Sequence, residues 1–187
     1  MILLALSVVV FGLLNGVVAF PSAKASIKDR IGAKAYGAVF GLASLLLLSL
    51  IVWGWQNAVF VPVYEPTPWG WYVNYLLNFM GFLCLGVFLF RGSLRQTLRF
   101  PLELGIIFWA LGHLFSNGDA ASLILFGGFL LCSLVYIVFA RQNGVWPTPE
   151  VRLGHDGLSV IFGAALYGIM TQLHGALIGV PVFVLTK

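Results

Sequence analysis

Charge is what this chain lacks most. Only 9% of its 187 residues are charged, 10 Lys and Arg against 6 Asp and Glu, with three histidines besides. Soluble domains carry about 25% charged residues, and a chain that is 60% hydrophobic with mean hydropathy +1.01 has more apolar surface than one water-surrounded core hides. A soluble enzyme is thereby excluded. The basic balance, pI near 9.3, calls for no nucleic acid, because loop topology explains it. Cysteine is scarce too. Cys84 and Cys132 both lie in apolar runs, which excludes a disulfide framework. No Cys-x-x-Cys-His occurs, so covalent haem attachment is excluded, and no carboxylate cluster within the apolar runs suggests a di-iron site. Repeats, linkers and low-complexity stretches are also missing, leaving one domain over residues 1–187.

What the chain has instead is long apolar runs. Crossing a hydrocarbon core takes about 20 mostly apolar residues, and six segments approach that: 2–21, 36–56, 73–90, 102–117, 120–140 and 157–183. The expected fold is therefore an all-α integral membrane protein with six transmembrane helices. The fourth segment is short and ends in Ser116-Asn117-Gly118-Asp119, a turn leading into the fifth. No basic residue precedes the first run, so it reads as a retained span and not as a cleaved signal.

The loops alternate in charge. Loop one carries Lys24, Lys28, Arg30 and Lys34, loop three Arg91, Arg95 and Arg99, and loop five Arg141 and Arg152, whereas loop two offers Glu65 and loop four Asp119. Basic loops face the cytoplasm, which turns both termini outward, to the periplasm of a bacterial inner membrane. Loop two holds Pro62, Pro66 and Pro68, which forbid a helix, and Trp69, Trp71 and Tyr72, which suit the membrane interface. It reads as an ordered cap on the outer surface or as a lid over a substrate. In loop five, Pro147 and Pro149 favour extended backbone.

Polar residues inside the spans are few enough to take singly. Gln56, Asn74 and Asn78 sit near the outer boundary, where interhelical hydrogen bonds account for them. Glu103 follows Arg99 at i, i+4 and reads as a pair at a helix start. His155 beside Asp156 lies in a solvated loop. His113 and His174 differ from these. At 1.5 Å rise per residue, His113 stands about 17 Å above the inner boundary and His174 about 14 Å below the outer one, so the two share one depth. Equal depth on different helices suits a bis-imidazole iron or other metal site. It equally suits two histidines acting as hydrogen-bonding wedges between helices. Small-residue stretches at Gly81 to Gly86, Gly127 to Phe129 and Gly163 to Gly168 permit close helix approach and do not separate packing from ligand binding.

Two stretches carry a resemblance: RFPLELGIIFWALGHLFSNGDAASLILFGGF, Arg99 to Phe129, and LYGIMTQLHGALIGVP, Leu166 to Pro181. Together they resemble the NnrU family of bacterial membrane proteins, named for an association with nitric oxide and nitrite reduction. That family is distantly similar to the 15-cis-zeta-carotene isomerase, a haem b membrane enzyme that isomerises a carotenoid double bond. The resemblance implies that His113, in Trp109-Ala110-Leu111-Gly112-His113, is a haem ligand, and that His174 matches the late histidine of the NnrU pattern. Two departures stand out: the family's Arg-His-Pro reads Arg99-Phe100-Pro101, and the isomerase's other ligand position holds Asn15. Arg-x-Pro also resembles isoprenylcysteine and phospholipid methyltransferases, but the acidic residues that clasp their cofactor are missing.

The expectation is an NnrU-like inner-membrane protein with haem b between spans four and six. His113 and His174 are its metal ligands, with Trp109 and Arg99 also contacting the cofactor. Its chemistry would be redox-linked isomerisation or reduction of a lipid-soluble, isoprenoid-like or carotenoid-like small molecule, or a role in denitrification-linked metabolism. The alternative is a non-catalytic accessory or assembly subunit of a larger respiratory or photosynthetic complex, or a homo-oligomer. Membrane lipids are partners in either case.

Overall fold

In hydrocarbon no water satisfies a backbone N–H or C=O, so a chain this apolar closes its hydrogen bonds within helices. The computed structural model describes residues 1–145 and 150–182. Among these residues there is no strand, only one isolated bridge between Pro62 and Asp119. Nine helices follow in order: α1 (Ile2–Gly16, extended by a 3₁₀ turn over Val17–Ala19), α2 (Pro21–Ile31), α3 (Ala33–Gln56), α4 (Gly70–Leu89), α5 (Ser93–Leu98), α6 (Pro101–Ser116), α7 (Ala120–Ser122), α8 (Gly128–Gln142) and α9 (His155–Ile178). A π-helical turn over Leu123–Gly127 joins α7 to α8, making one rod from Ala120 to Gln142.

Five helical stretches are long and apolar enough to cross a membrane, while α6, at 16 residues, is shorter. At 1.5 Å per residue α6 rises about 24 Å, less than the roughly 30 Å hydrocarbon core. Each of the six apolar segments read from the sequence coincides with one of these elements. The sixth differs at its end: the helix stops at Ile178 because Gly179 adopts a left-handed conformation, φ 90°, and the chain turns back. Phe183, Pro147 and Pro149 lie outside the described residues. Loop one also holds more structure than expected, since α2 runs through it with Pro21 in its first turn and no buried residue. Its lysines and Arg30 are thus presented from a helix.

Side-to-side packing runs α3 on α1, α1 on the π turn and α8, these on α6, α6 on α4, and α4 on α9. Without a hydrophobic force between helices in lipid, such seams need small residues. A Cβ on Gly81 would stand 3.0 Å from the Gly105 carbonyl, and one on Gly105 3.0 Å from that of Gly81. At the α4–α9 crossing, a Cβ on Gly163 would reach 2.6 Å from the Phe82 carbonyl oxygen and 2.9 Å from the Leu83 Cα. Gly127 and Gly168 face open space, so not every glycine of these stretches serves a crossing.

This contrast predicts opposite signs for one chemical change. Gly163→Ala is expected to destabilise the folded protein by about 1–3 kcal/mol, because backbone must move to admit the methyl. Gly168→Ala, with nothing within 4 Å of the added carbon, is expected to be neutral or stabilising through helix propensity. Thermal denaturation of the two variants in detergent checks this; equal midpoints would contradict it.

Candidate functional site: a two-histidine cavity between the spans

One end of the bundle, the end bearing the 57–69 and 117–119 connections, encloses a cavity of about 370 Å³. That volume lies in the range of small-molecule sites, about 300–1,000 Å³. Its walls come from the last turns of α3, the first half of α4, the end of α6, the π turn with the start of α8, and the end of α9 with the returning Val180–Val182. Among the described residues, no Asp, Glu, Lys or Arg lines it.

His113 and His174 meet across this space. Their ring centroids are 6.5 Å apart with planes inclined by 24°. Both rings are oriented by backbone. Nδ1 of His113 lies 2.8 Å from the Trp109 carbonyl oxygen and Nδ1 of His174 2.6 Å from that of Val180. A carbonyl only accepts, so Nδ1 carries the proton in both rings, and in the neutral imidazole Nε2 is left with the lone pair. The pair thus presents two basic nitrogens of assigned tautomer inside an uncharged, apolar chamber. At 6.5 Å the rings stand beyond mutual van der Waals contact of about 3.5–4.0 Å, yet closer than the roughly 7 Å that a layer of atoms sandwiched between them needs.

The π turn positions the third member of this group. A π turn alters which residues face inward, and such turns recur at functional sites. Here it brings Phe126 parallel to His113, centroids 4.4 Å apart at 18°, while Trp109 meets Phe126 edge-on at 4.9 Å. Trp109, His113 and His174 are therefore brought together. Arg99 is not among the lining residues. It stands before Pro101, and the twelve residues from Pro101 to His113 span about 18 Å. Arg99 is the middle residue of a strained γ-turn at φ 61°, with the Phe100 N–H donating to the Leu98 carbonyl at 2.6 Å. The departures from the resembled family also fall elsewhere. Asn15 donates to the Phe11 carbonyl of its own helix at 2.9 Å, and Phe100 is buried beside Ala19 and Ala140.

A polar strip runs beside the histidines. Asn74 donates from α4 to the Ser116 hydroxyl on α6 at 2.8 Å, and Asn78 donates to the Asn74 side chain and, at 2.9 Å, to its carbonyl. These are interhelical and local bonds of the kind their depth suggested. At this end of the bundle the 57–69 connection is held down by four bonds to the 114–120 turn and helix end. Val63 and Tyr64 N–H groups donate to Gly118, Ala120 N–H donates to Val61, and the Tyr64 hydroxyl donates to Asn117 at 2.7 Å, with Leu114 sharing that proton. Asp119 then caps α7, accepting from Ser122 N–H at 3.0 Å and from its hydroxyl at 2.6 Å. This segment is an ordered cap.

Two lining features were not read from the sequence. Trp55, in Trp53-Gly54-Trp55-Gln56, has the composition of an interfacial belt and gave no hint of pointing inward. The Val180–Val182 return was masked by the apolar run that continues through it.

Haem b must satisfy two conditions here. The free Nε2 atoms of His113 and His174, on rings whose centroids are 6.5 Å apart, are the donors that would hold one metal ion. Among the described residues no third His, Cys, Asp or Glu joins them, so an ion would depend on a macrocycle for its remaining ligands. The charge does not fit the described lining, because among the described residues two propionates would meet no Lys or Arg.

A bundle of helices long and apolar enough to cross a membrane defines a multi-pass membrane protein, here with a ligand-sized cavity between its helices. The family model described as NnrU protein matches residues 3–182. The chain belongs to the NnrU family, and both histidines of the cavity fall inside the matched region. No curated protein and no solved structure matches the chain.

The cap supplies a direct test. Burial, and then the Asp119 carboxylate, hold the Tyr64 phenol above its ordinary value of 10.0, so its two donated contacts are complete below that pH and are lost as pH rises through the raised value. Tyr64→Phe is expected to cost about 1 kcal/mol at neutral pH, and Asp119→Ala about 0.5–2 kcal/mol through the lost helix cap. Thermal midpoints at pH 7 check both, and a Tyr64→Phe midpoint equal to wild type would show that the hydroxyl holds nothing.

Proposed function

We propose that this protein is a six-span bacterial inner-membrane protein, both termini outward, that binds and transforms a flat, lipid-soluble, isoprenoid-like small molecule in its outer-leaflet cavity. The single observation that carries the reading is the pair of imidazoles, each held by a backbone carbonyl at Nδ1 with Nε2 as the base, across an uncharged aromatic chamber. Such nitrogens accept a proton or a hydrogen bond from a ligand without any charged group nearby. Trp109 and Phe126 supply flat walls. Isomerisation or reduction of a conjugated substrate, the class implied by the carotene isomerase resemblance, is chemistry for which such a dry chamber is suited.

A second reading is favoured by one observation, the 6.5 Å ring separation: His113 and His174 would hold haem b, which would supply redox chemistry to the same chamber. The lack of cations among the described lining residues weighs against it. The absorption spectrum of the purified protein before and after dithionite separates the two. The first reading expects no Soret band, together with a hydrophobic small molecule that solvent extraction and mass analysis recover from wild type. That molecule is expected to fall at least fivefold in His113→Leu and His174→Leu. A Soret band abolished by either substitution would establish the second reading. Neither chromophore nor enriched lipid would overturn both.

A further inference from the structure

The two imidazoles of the cavity are held by different kinds of backbone. Nδ1 of His113 lies against the carbonyl of Trp109, one turn earlier in its own helix, so α6 fixes that tautomer by itself. Nδ1 of His174 reaches instead the carbonyl of Val180, six residues on and beyond the end of α9. Gly179, at φ 90°, reverses the chain there, and Pro181 comes back against Gly175, where an added Cβ would stand 3.3 Å from the Pro181 Cα. In a neutral imidazole the bare nitrogen is chosen by the hydrogen bond that the other nitrogen makes. The acceptor that makes this choice for His174 therefore belongs to a short return and not to a helix.

That return is tied to α4. The Tyr75 hydroxyl donates to the Val182 carbonyl at 3.2 Å. α4 and α9 are in turn linked at this level by the Tyr167 hydroxyl, which donates to the Tyr75 carbonyl at 3.2 Å, its ring edge-on to Phe79 and Phe82. Tyr75, Tyr167 and His174 line the cavity together with the return itself. A chain of contacts thus runs from α4 through residues 180–182 to the imidazole.

We infer that Tyr75 is a positioning residue of this site: by holding the 180–182 return it keeps the Val180 carbonyl on Nδ1 of His174 and leaves Nε2 as the base that meets the ligand. His113 is a base of fixed tautomer, whereas the tautomer of His174 is set from α4. The inference rests on the reading of Nε2 as the base in the cavity and adds what makes it so at one of the two rings.

The test reads tautomers directly, by nitrogen-15 NMR of the full chain, labelled at histidine, in lipid nanodiscs at about pH 8, above the ordinary imidazole value. Protonated and bare ring nitrogens give well separated signals. His155 supplies the contrasting reference, because its Nδ1 accepts from the Arg91 N–H at 3.1 Å and its proton sits on Nε2. Wild type is expected to carry the proton on Nδ1 in both His113 and His174. Tyr75→Phe is expected to shift the tautomer ratio of His174 about fivefold or more toward Nε2–H, as loss of one hydrogen bond does, and to leave His113 unchanged. Tyr167→Phe removes a bond of the same length from the same neighbourhood and is expected to leave His174 as in wild type, which separates positioning from general loosening. Gly175→Val pushes on Pro181 from the other side and is expected to act on His174 as Tyr75→Phe does, so it decides the matter where Tyr75→Phe does not fold. A wild-type His174 with its proton on Nε2, a ratio unmoved by Tyr75→Phe or by Gly175→Val, or an equal shift in Tyr167→Phe would overturn the inference. No ligand enters this measurement, so such a result leaves the lipid-binding reading intact; that reading fails instead when wild type yields no extracted molecule.

Discussion

Everything in the site depends on how closely two helices approach α4. In a membrane, apolar side chains gain nothing by turning from lipid to protein, so the approach is set by contact at small residues. Gly81 faces Gly105 on one side and Gly163 faces the Phe82 backbone on the other, each with no room for a methyl group. α6 and α9 are thereby drawn to the same helix from different directions. Their histidines face each other only because of this shared support, since α6 and α9 do not themselves form a principal seam. The chamber is the space that the helices around α4 fail to fill.

Much of the fold was legible because lipid imposes so few solutions. Length and apolarity located the apolar helices, five of them long enough to cross a membrane. A fixed rise per residue placed His113 and His174 at one depth, which the 6.5 Å approach of their rings matches. What escaped was set by the third dimension. The Tyr64 hydroxyl finds acceptors fifty residues away, which no local pattern announces. Trp55 sits among aromatics that suit a membrane boundary, and only its neighbours show that it lines the cavity. Gly179 ended α9 early inside a continuous apolar run, since hydropathy does not register a change in φ. Arg99 was grouped with the histidines through the resemblance, yet it lies a helix length from them.

The electrostatics of the chamber set its chemistry as firmly as its shape does. Basic residues gather at the far end of the bundle, in α2, around α5 and at the end of α8. At the near end Glu65 and Asp119 belong to the cap and its turn, outside the lining. A molecule in the cavity is therefore met by dipoles and lone pairs only. Neutral hydrogen bonds discriminate well in such surroundings, because an unpaired polar group has no water to turn to.

The π turn carries one more consequence, for how this span tolerates change. A five-residue turn holds one residue more than an α-helical path needs, in effect a stored insertion. Losing one residue between 123 and 127 would restore ordinary winding and leave the helix beyond it facing as it does now, with Phe129 still on the cavity wall and Cys132 still beside Gly12 across the α1 seam. The segment thus tolerates a one-residue deletion that would rotate the remainder of a regular helix by about 100°.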